Sequence, residues 1–449
     1  MAGFDVNPSA LDKVYWRPQH DGQGPQLLSV NPHHKPLAHL TVDFYREQLY
    51  PGPRLTELGE ITCKFIEESV RWPVMRDSKY VLSNTGLHKD ISLLHWCEDI
   101  LLKAAARSIF GDALLELNPQ LLDDFLTFDN VSWKLMYRYP RFLSKDMHQS
   151  KDALVLAIQR YFELPKDQRQ GASWFIEMQE AEMKALGISV LDVSKFIALI
   201  YWVYVMLHSM SDAMCANTPS VNTNAYKLLF WMLAFLLHDA DLVQKVNSEL
   251  RDCFRPDGTL DIASLQNYTP YLTALWHETL RMCNSSASAR FVTEDTQIGE
   301  YTLRAGRRLL IPYRQLHLNT AVFGHNAADF DITRFLKDKK LAQNPSYRPF
   351  GGGVTYCPGR FLAKQEIFMA LAFLLCRHDV EVPLVRNSNG FKAPQKFPKM
   401  DELKPGIGII GPIAGDDLVI RLTPKKVSRS QQKSWLTPSL IRDDRLRWW

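Results

Sequence analysis

Tyr347-Arg-Pro-Phe-Gly-Gly-Gly-Val-Thr-Tyr-Cys-Pro-Gly-Arg360, followed at once by the apolar run Phe361 to Cys376, is the most informative stretch of the chain. Its three successive glycines allow a tight turn and a close approach of backbone to a flat partner. Cys357 sits just before Pro-Gly and a helix start, where the helix dipole and free N–H groups favour a thiolate and lower the thiol pKa. Such a thiolate is a metal ligand or a nucleophile. A phosphate-cradling loop would carry Lys-Ser or Lys-Thr after the glycines, and none is present. A cysteine nucleophile needs a histidine base, which the thirteen histidines leave open. A lone cysteine near a helix is more often a small buried side chain, so the rest of the chain must decide.

The chain has 449 residues, which at ~150 residues per domain corresponds to about three domains or one large one. Hydrophobic residues at 46% and charged residues at 23% lie at the globular average, which disfavours disorder, collagen, a disulfide scaffold and a polytopic membrane protein. Lys and Arg total 53 against 49 Asp and Glu, leaving +4 over the whole length, too dispersed for a nucleic-acid footprint. Partners are therefore small or uncharged. Seven cysteines, scattered without a Cys-x-x-Cys pair, argue against a disulfide framework and a zinc site and fit a reducing compartment. Met1 to Pro25 lacks a basic segment followed by an apolar core, so neither a signal peptide nor an anchor is read there. The longest apolar runs, Phe196 to Leu207 and Leu228 to Leu237, fall short of the ~20 residues that cross a bilayer and read as core helices.

Helical periodicity dominates: Leu55 to Val70, His95 to Phe110, Leu242 to Cys253 and Tyr271 to Met282 carry apolar residues at helical spacing. Strands are few and short, expected at Arg290 to Thr293, Arg308 to Pro312, Asp379 to Val382 and Leu418 to Leu422. The expected fold class is mainly α with small β-sheets. No repeat, low-complexity tract or long linker marks a boundary, so residues 1–427 are expected to form one domain, and the polar, basic stretch 428–449 a disordered tail. Between Tyr204 and Val221 an apolar helix gives way to a polar segment containing Pro219, which would break or kink a helix.

Two further motifs precede the glycine loop. Glu278-Thr-Leu-Arg281 places both side chains on one helix face, and Phe330-Asp-Ile-Thr-Arg334-Phe supplies a second arginine. Bidentate bonds between arginine and carboxylate are strong enough to pin distant segments together. The spacing Phe350-x-x-Gly353-x-x-x-Cys357-x-Gly359 resembles the haem-binding loop of the cytochrome P450 family, in which a cysteine thiolate is the axial ligand of haem iron. Glu278, Arg281 and Arg334 resemble that family's Glu-Arg-Arg cluster, in the same order. The resemblance covers roughly residues 30 to 425. It is nearest to the branch containing prostacyclin synthase, sterol 7α-hydroxylases and many fungal secondary-metabolism enzymes, through Gly351-Gly-Gly-Val-Thr355, Ser285-Ser-Ala-Ser-Ala-Arg290 and Tyr226-Lys-Leu-Leu-Phe-Trp231.

The resemblance implies a cytochrome P450 fold with a shortened N-terminal part and haem b held through Cys357. It implies Phe350, Gly353 and Gly359 around the cofactor, and Arg290 and Lys35 as candidate propionate partners. The implied activity is a monooxygenase that uses dioxygen and electrons from an NADPH-dependent reductase on a lipophilic terpenoid, steroid or polyketide. A monomer on the cytosolic face of the endoplasmic reticulum membrane is implied as well, although the chain itself shows no anchor. Prostacyclin-synthase-like isomerase, lyase or dehydratase chemistry without oxygen, or an inactive haem binder, are the alternatives. They arise from the distal helix, where alignment on Lys227-Leu-Leu-Phe-Trp231 puts Asn224 at the amide position and Ala225 where the family carries threonine. Thr223 lies one more position back, and each residue of offset turns a side chain by about 100°. Residues 204–221 interrupt this helix and are expected to be an insertion or an unspliced stretch of the gene model. Pro405-Gly-Ile-Gly-Ile-Ile-Gly-Pro412 resembles the family's late substrate-facing turn. Thr355 replaces a frequent arginine or histidine, and no Trp-x-x-x-Arg propionate clamp is evident.

Overall fold

The computed structural model describes residues 4–15, 31, 35–136, 139–202, 221–353, 356–386, 392–403 and 408–425. Helices occupy 58% of the described residues. The first half contributes α1 (Pro8–Tyr15), α2 (Leu37–Leu49), α3 (Pro53–Ser69), α4 (Leu93–Phe110), α5 (Ala113–Leu117), α6 (Leu121–Val131), α7 (Trp133–Met136), α8 (Lys145–Glu163), α9 (Trp174–Ala185) and α10 (Val190–Trp202). The second contributes α11 (Val221–Leu237), α12 (Ala240–Asp252), α13 (Ile262–Asn267), α14 (Pro270–Cys283), α15 (Tyr313–His317), α16 (Thr320–Phe323), α17 (Thr333–Lys337) and α18 (Arg360–Arg377).

Local chemistry sets the helix ends. Ser92 caps α4 by accepting from the His95 N–H, and Gly111, with φ at 75°, closes it. Asp239 caps α12 through the Leu242 N–H, and α14 opens on Pro270, whose fixed φ suits a first helical position. Two helices are buried nearly all round, as continuous apolar sequence requires. In α11 the residues from Leu228 to Ala234 are all buried, and in α18 those from Glu366 to Leu375 are. These two pack on each other, and α11 also packs on α4 and α14, so the core sits where the Cys357 loop enters α18.

The strands are β1 (Val81–Asn84), β2 (Lys89–Ser92), β3 (Ala287–Phe291), β4 (Thr296–Ile298), β5 (Tyr301–Leu303), β6 (Arg308–Pro312), β7 (His378–Glu381), β8 (Val385–Arg386), β9 (Lys392–Ala393) and β10 (Val419–Pro424). One four-stranded sheet runs β1-β2-β10-β7, and three antiparallel pairs stand apart, β3-β6, β4-β5 and β8-β9. Within the larger sheet β10 is central, pairing Ile420 with Ile91 on one side and Leu422 with Val380 on the other. The Arg421 guanidinium grips both oxygens of Asp90 at 2.7 and 2.8 Å, reinforcing the same register.

All four expected strands are present, but β3 begins at Ala287 and ends before Val292, because Ala287 pairs with Pro312 and Phe291 with Arg308. The 204–221 segment lies outside the described residues except for Val221, which begins α11. The 428–449 tail lies outside them entirely. The six described cysteines are free thiols. Among the described residues no helix is long and apolar enough to cross a membrane.

Enclosed titratable groups give stability a sign with pH. Burial pushes His277, His317 and His378 down from the usual 6.5 to about 4. Between those values the unfolded chain binds more protons, so their stabilisation is complete above about 6.5 and is lost as pH falls through about 4. Glu366 acts oppositely. Burial lifts it from 4.5 to about 8, so its stabilisation is complete below 4.5 and is lost as pH rises through about 8. Three groups outweigh one below 6.5, and urea unfolding should show stability rising from about pH 4 to 6.5 and declining towards 8. A curve flat across the acid limb would contradict these placements.

Candidate active site

The site is built around one buried carboxylate. Glu278 on α14 is fully buried and receives Arg281 Nε at 2.8 Å and Nη2 at 2.6 Å, a bidentate pair one helical turn apart. Arg334 on α17 donates Nη1 to the same carboxylate at 2.6 Å, and the Asp331 N–H adds a fourth bond at 2.8 Å. The remaining guanidinium donors find carbonyls. Arg281 Nη1 reaches His317 O at 2.9 Å and Ala327 O at 2.5 Å, and Arg334 reaches Phe323 O at 2.9 Å and Asn326 O at 2.6 Å. A charge with every donor satisfied tolerates such burial.

From this cluster the Cys357 loop is tied down at successive points. The Tyr347 hydroxyl meets His277 Nδ1 at 2.9 Å, the Arg348 N–H donates to His317 Nε2 at 2.9 Å, and Asn284 Nδ2 donates to Pro349 O at 2.6 Å. Phe350 stacks on Trp276 with ring centroids 6.1 Å apart, and its carbonyl accepts from the Cys357 N–H at 3.1 Å. Between them Gly351 and Gly353 adopt φ of 80° and 66°, which L side chains rarely adopt. A Cβ at Gly353 would meet nothing within 4 Å, so the loop there faces open space. Arg360 closes the junction by donating Nη1 to Cys357 O at 2.6 Å, and its guanidinium lies 4.2 Å from the Tyr356 ring centroid.

Burial pushes the Cys357 thiol up to about 11, against the Gly359 N–H, the Arg360 charge and the Arg360 N–H, all of which favour the thiolate. No histidine hydrogen-bonds to its sulfur among the described residues. A free thiol raised in this way is a weak nucleophile, while the N–H groups and the Arg360 charge beside it would favour a thiolate bound to a metal. Beside the loop lies an apolar cavity. Gly359, the N-cap of α18, and Leu362, Ala363 and Glu366 within it form one wall, Ile197 and Ile200 of α10 another, and Tyr45, Phe110 and Ser173 contribute to the rest. The spacing of the α18 set, i, i+3, i+4, i+7, is one helix face; that period was the available signal for the three lining residues beyond Gly359.

A family model described as Cytochrome P450 matches residues 221–400. Over that stretch the chain is similar to the cytochrome P450 family. It is 29% identical over 298 residues to the cytochrome P450 monooxygenase poxD of Penicillium oxalicum, covering 63% of this chain and 57% of that relative. It is 24% identical over 383 residues to the cholesterol 7-alpha-monooxygenase of Cricetulus griseus, covering 76% and 69%. The crystal structure of a cytochrome P450DA mutant heme domain superposes with a TM-score of 0.56 at 14% identity, covering 85% of this chain and 75% of that one, which shows the fold. The superfamily's cofactor is haem b on a cysteine thiolate. The residues present fit it at the iron and at the flat apolar faces: one cysteine with two N–H groups favouring its thiolate form, Gly353 in open space, and an apolar cavity alongside.

The other expected residues sit as follows. Arg290 lies exposed on β3 and donates to Ala289 O at 2.8 Å. Lys35 pairs with Asp43 at 2.5 Å at the start of α2. Ala225 is buried in α11, and the Asn224 carbonyl accepts from the Ile409 N–H at 2.8 Å, which engages it with the late turn. Thr223 is on the same helix, its side chain outside the described residues. That turn is fastened twice more, by Trp231 Nε1 to Ile410 O at 2.6 Å and Ser285 N to Gly408 O at 2.8 Å. Gly408 has φ of 108°, and a Cβ there would sit 2.2 Å from Asn224 Oδ1, so only glycine fits.

Removing the carboxylate charge exposes the cluster's dependence on it. Glu278→Gln leaves two guanidinium groups buried without their counter-charge and should cost about 3–5 kcal/mol of unfolding free energy. Urea denaturation of the variant measures it, and a loss under about 1 kcal/mol would mean that the carbonyls alone hold the arginines.

Proposed function

We propose that this chain is a haem-thiolate monooxygenase acting on a lipophilic small molecule of terpenoid, steroid or polyketide type, with Cys357 as the axial ligand. The observation that carries this is the Cys357 thiol held between the N–H groups of α18's first turn and a loop roped to the buried Glu278 cluster, beside an apolar cavity. Haem bound there would supply dioxygen activation driven by electrons from NADPH through a reductase. The chain's own residues bind, exclude water and orient. Gly359 and Arg360 hold negative charge at the sulfur, Leu362, Ala363, Ile197 and Ile200 keep the site dry, and the Gly408–Ile410 turn braced by Asn224 and Trp231 gives the substrate a fixed wall. The names of the relatives, monooxygenases of fungi and of cholesterol, support the reaction class and the apolar substrate. The same reading makes residues 1–427 one domain and the protein a monomer that meets its reductase at the cytosolic face of the endoplasmic reticulum.

One observation favours a second reading. With Ala225 buried and the Asn224 carbonyl bound to Ile409 N, α11 offers no hydroxyl at the position where the resemblance places one. Isomerisation, lysis or dehydration of an already oxidised substrate needs no such hydroxyl.

Haem-loaded protein supplied with reductase, oxygen and a panel of sterols and terpenoids separates these. A monooxygenase consumes NADPH in step with product, whereas product formed without NADPH supports the second reading. Cys357→Ala should abolish the thiolate-type Soret shift of the reduced carbon monoxide complex, and an unchanged spectrum would refute the ligand assignment.

A further inference from the structure

We propose that His317 is a positioning residue that sets the Cys357 loop through a single acceptor atom, a role that rests on the haem-thiolate reading. His317 ends α15 and has no exposed surface. Three elements meet on it. Its carbonyl takes Arg281 Nη1 of α14 at 2.9 Å, its Nε2 takes the Arg348 N–H of the loop at 2.9 Å, and its ring tilts against Tyr347 with centroids 5.6 Å apart. It thus links an arginine of the Glu278 cluster directly to the backbone that leads to Cys357.

The tautomer follows from the hydrogen bond. Because Arg348 N–H donates to Nε2, that nitrogen carries the lone pair and Nδ1 carries the proton. Nδ1 is buried and has no partner among the described residues. An orphaned buried donor is a standing cost, and phenylalanine would fill the same ring-shaped space without it. The imidazole is therefore there for its acceptor.

Only the neutral ring can serve. The charged groups around it are Arg281 from α14 and Arg314 from its own helix. Burial first, then these two cations, keep it neutral down to about pH 4. The Tyr347 phenol, the other titratable group against it, is bonded to His277. At neutral pH the acceptor is always present. Without it the Arg348 N–H loses its partner, and the slack passes along Pro349 to Phe350, whose carbonyl holds the Cys357 N–H.

The test compares His317→Phe and His317→Gln in the haem-loaded full chain. Phe keeps the ring and removes the acceptor, while the Gln side-chain carbonyl reaches the position of Nε2. Amide hydrogen exchange across residues 344–353 is read with the fraction of reduced carbon monoxide complex that shows the thiolate-type Soret band. The expected result for Phe is about tenfold faster exchange at the Arg348 amide and a lowered thiolate fraction at an unfolding midpoint near wild type, with Gln restoring both. A Phe variant with wild-type exchange and thiolate fraction would overturn the proposal, as would a Gln variant no better than Phe. Should Phe fail to fold, the Gln variant's exchange at Arg348 alone decides, since protection requires an acceptor at that point. A wild-type protein that binds haem without any thiolate-type band would instead refute the haem-thiolate reading, leaving the exchange comparison to judge His317.

Discussion

The carboxylate of Glu278, gripped by Arg281 and Arg334 in the interior, is the interaction on which the rest of the site depends. One negative charge faces two positive ones, so the arginines need further acceptors, and the chain supplies carbonyls from residues 317 to 329. A buried ion pair of this kind adds little net stability against an apolar replacement, yet breaking it is costly. What it provides is geometry. It fixes α14 to α17 and to the segment between α15 and α17, α16 included, and so makes a rigid floor for the segment that follows.

That floor has one outlet. Tyr347, Arg348 and Pro349 are bonded in turn to His277, His317 and Asn284, all on or next to α14 and α15. Beyond them the glycines turn the chain and Cys357 arrives at the start of α18, whose interior residues are packed on α11. The sulfur is therefore placed by a polar anchor behind it and an apolar helix after it. On the other side, α11 is locked to the Gly408–Ile410 turn through Asn224 and Trp231. The two halves of the site are held by different chemistries, ionic behind the loop and mixed across the cavity.

Much of this was legible in the sequence, and the exceptions share a cause. Amphipathic period marked the helices from Leu55, His95, Leu242 and Tyr271, and plain apolar runs marked α11 and α18. Fixed spacing marked Glu278, Arg281, Arg334 and Cys357, since each belongs to a short local pattern. The hairpin β1-β2 escaped because two four-residue strands carry almost no period, and its partner β10 lies more than 300 residues away. His317 and Glu366 escaped for the same reason: one matters through the Arg348 N–H, the other through a cavity assembled from six helices. Asn224, placed at the distal amide position by alignment, accepts through its side-chain carbonyl from a backbone N–H 185 residues later, a contact that local spacing does not reveal. Arg290, a candidate cofactor cation by resemblance, lies exposed on β3.

Every role proposed for the site depends on the sulfur of Cys357 being an iron ligand. Iron K-edge X-ray absorption on the haem-loaded chain tests this most directly. A sulfur neighbour in the first coordination shell, absent from Cys357→Ser, is the predicted result, and a first shell of nitrogen and oxygen alone in the wild-type protein would contradict it.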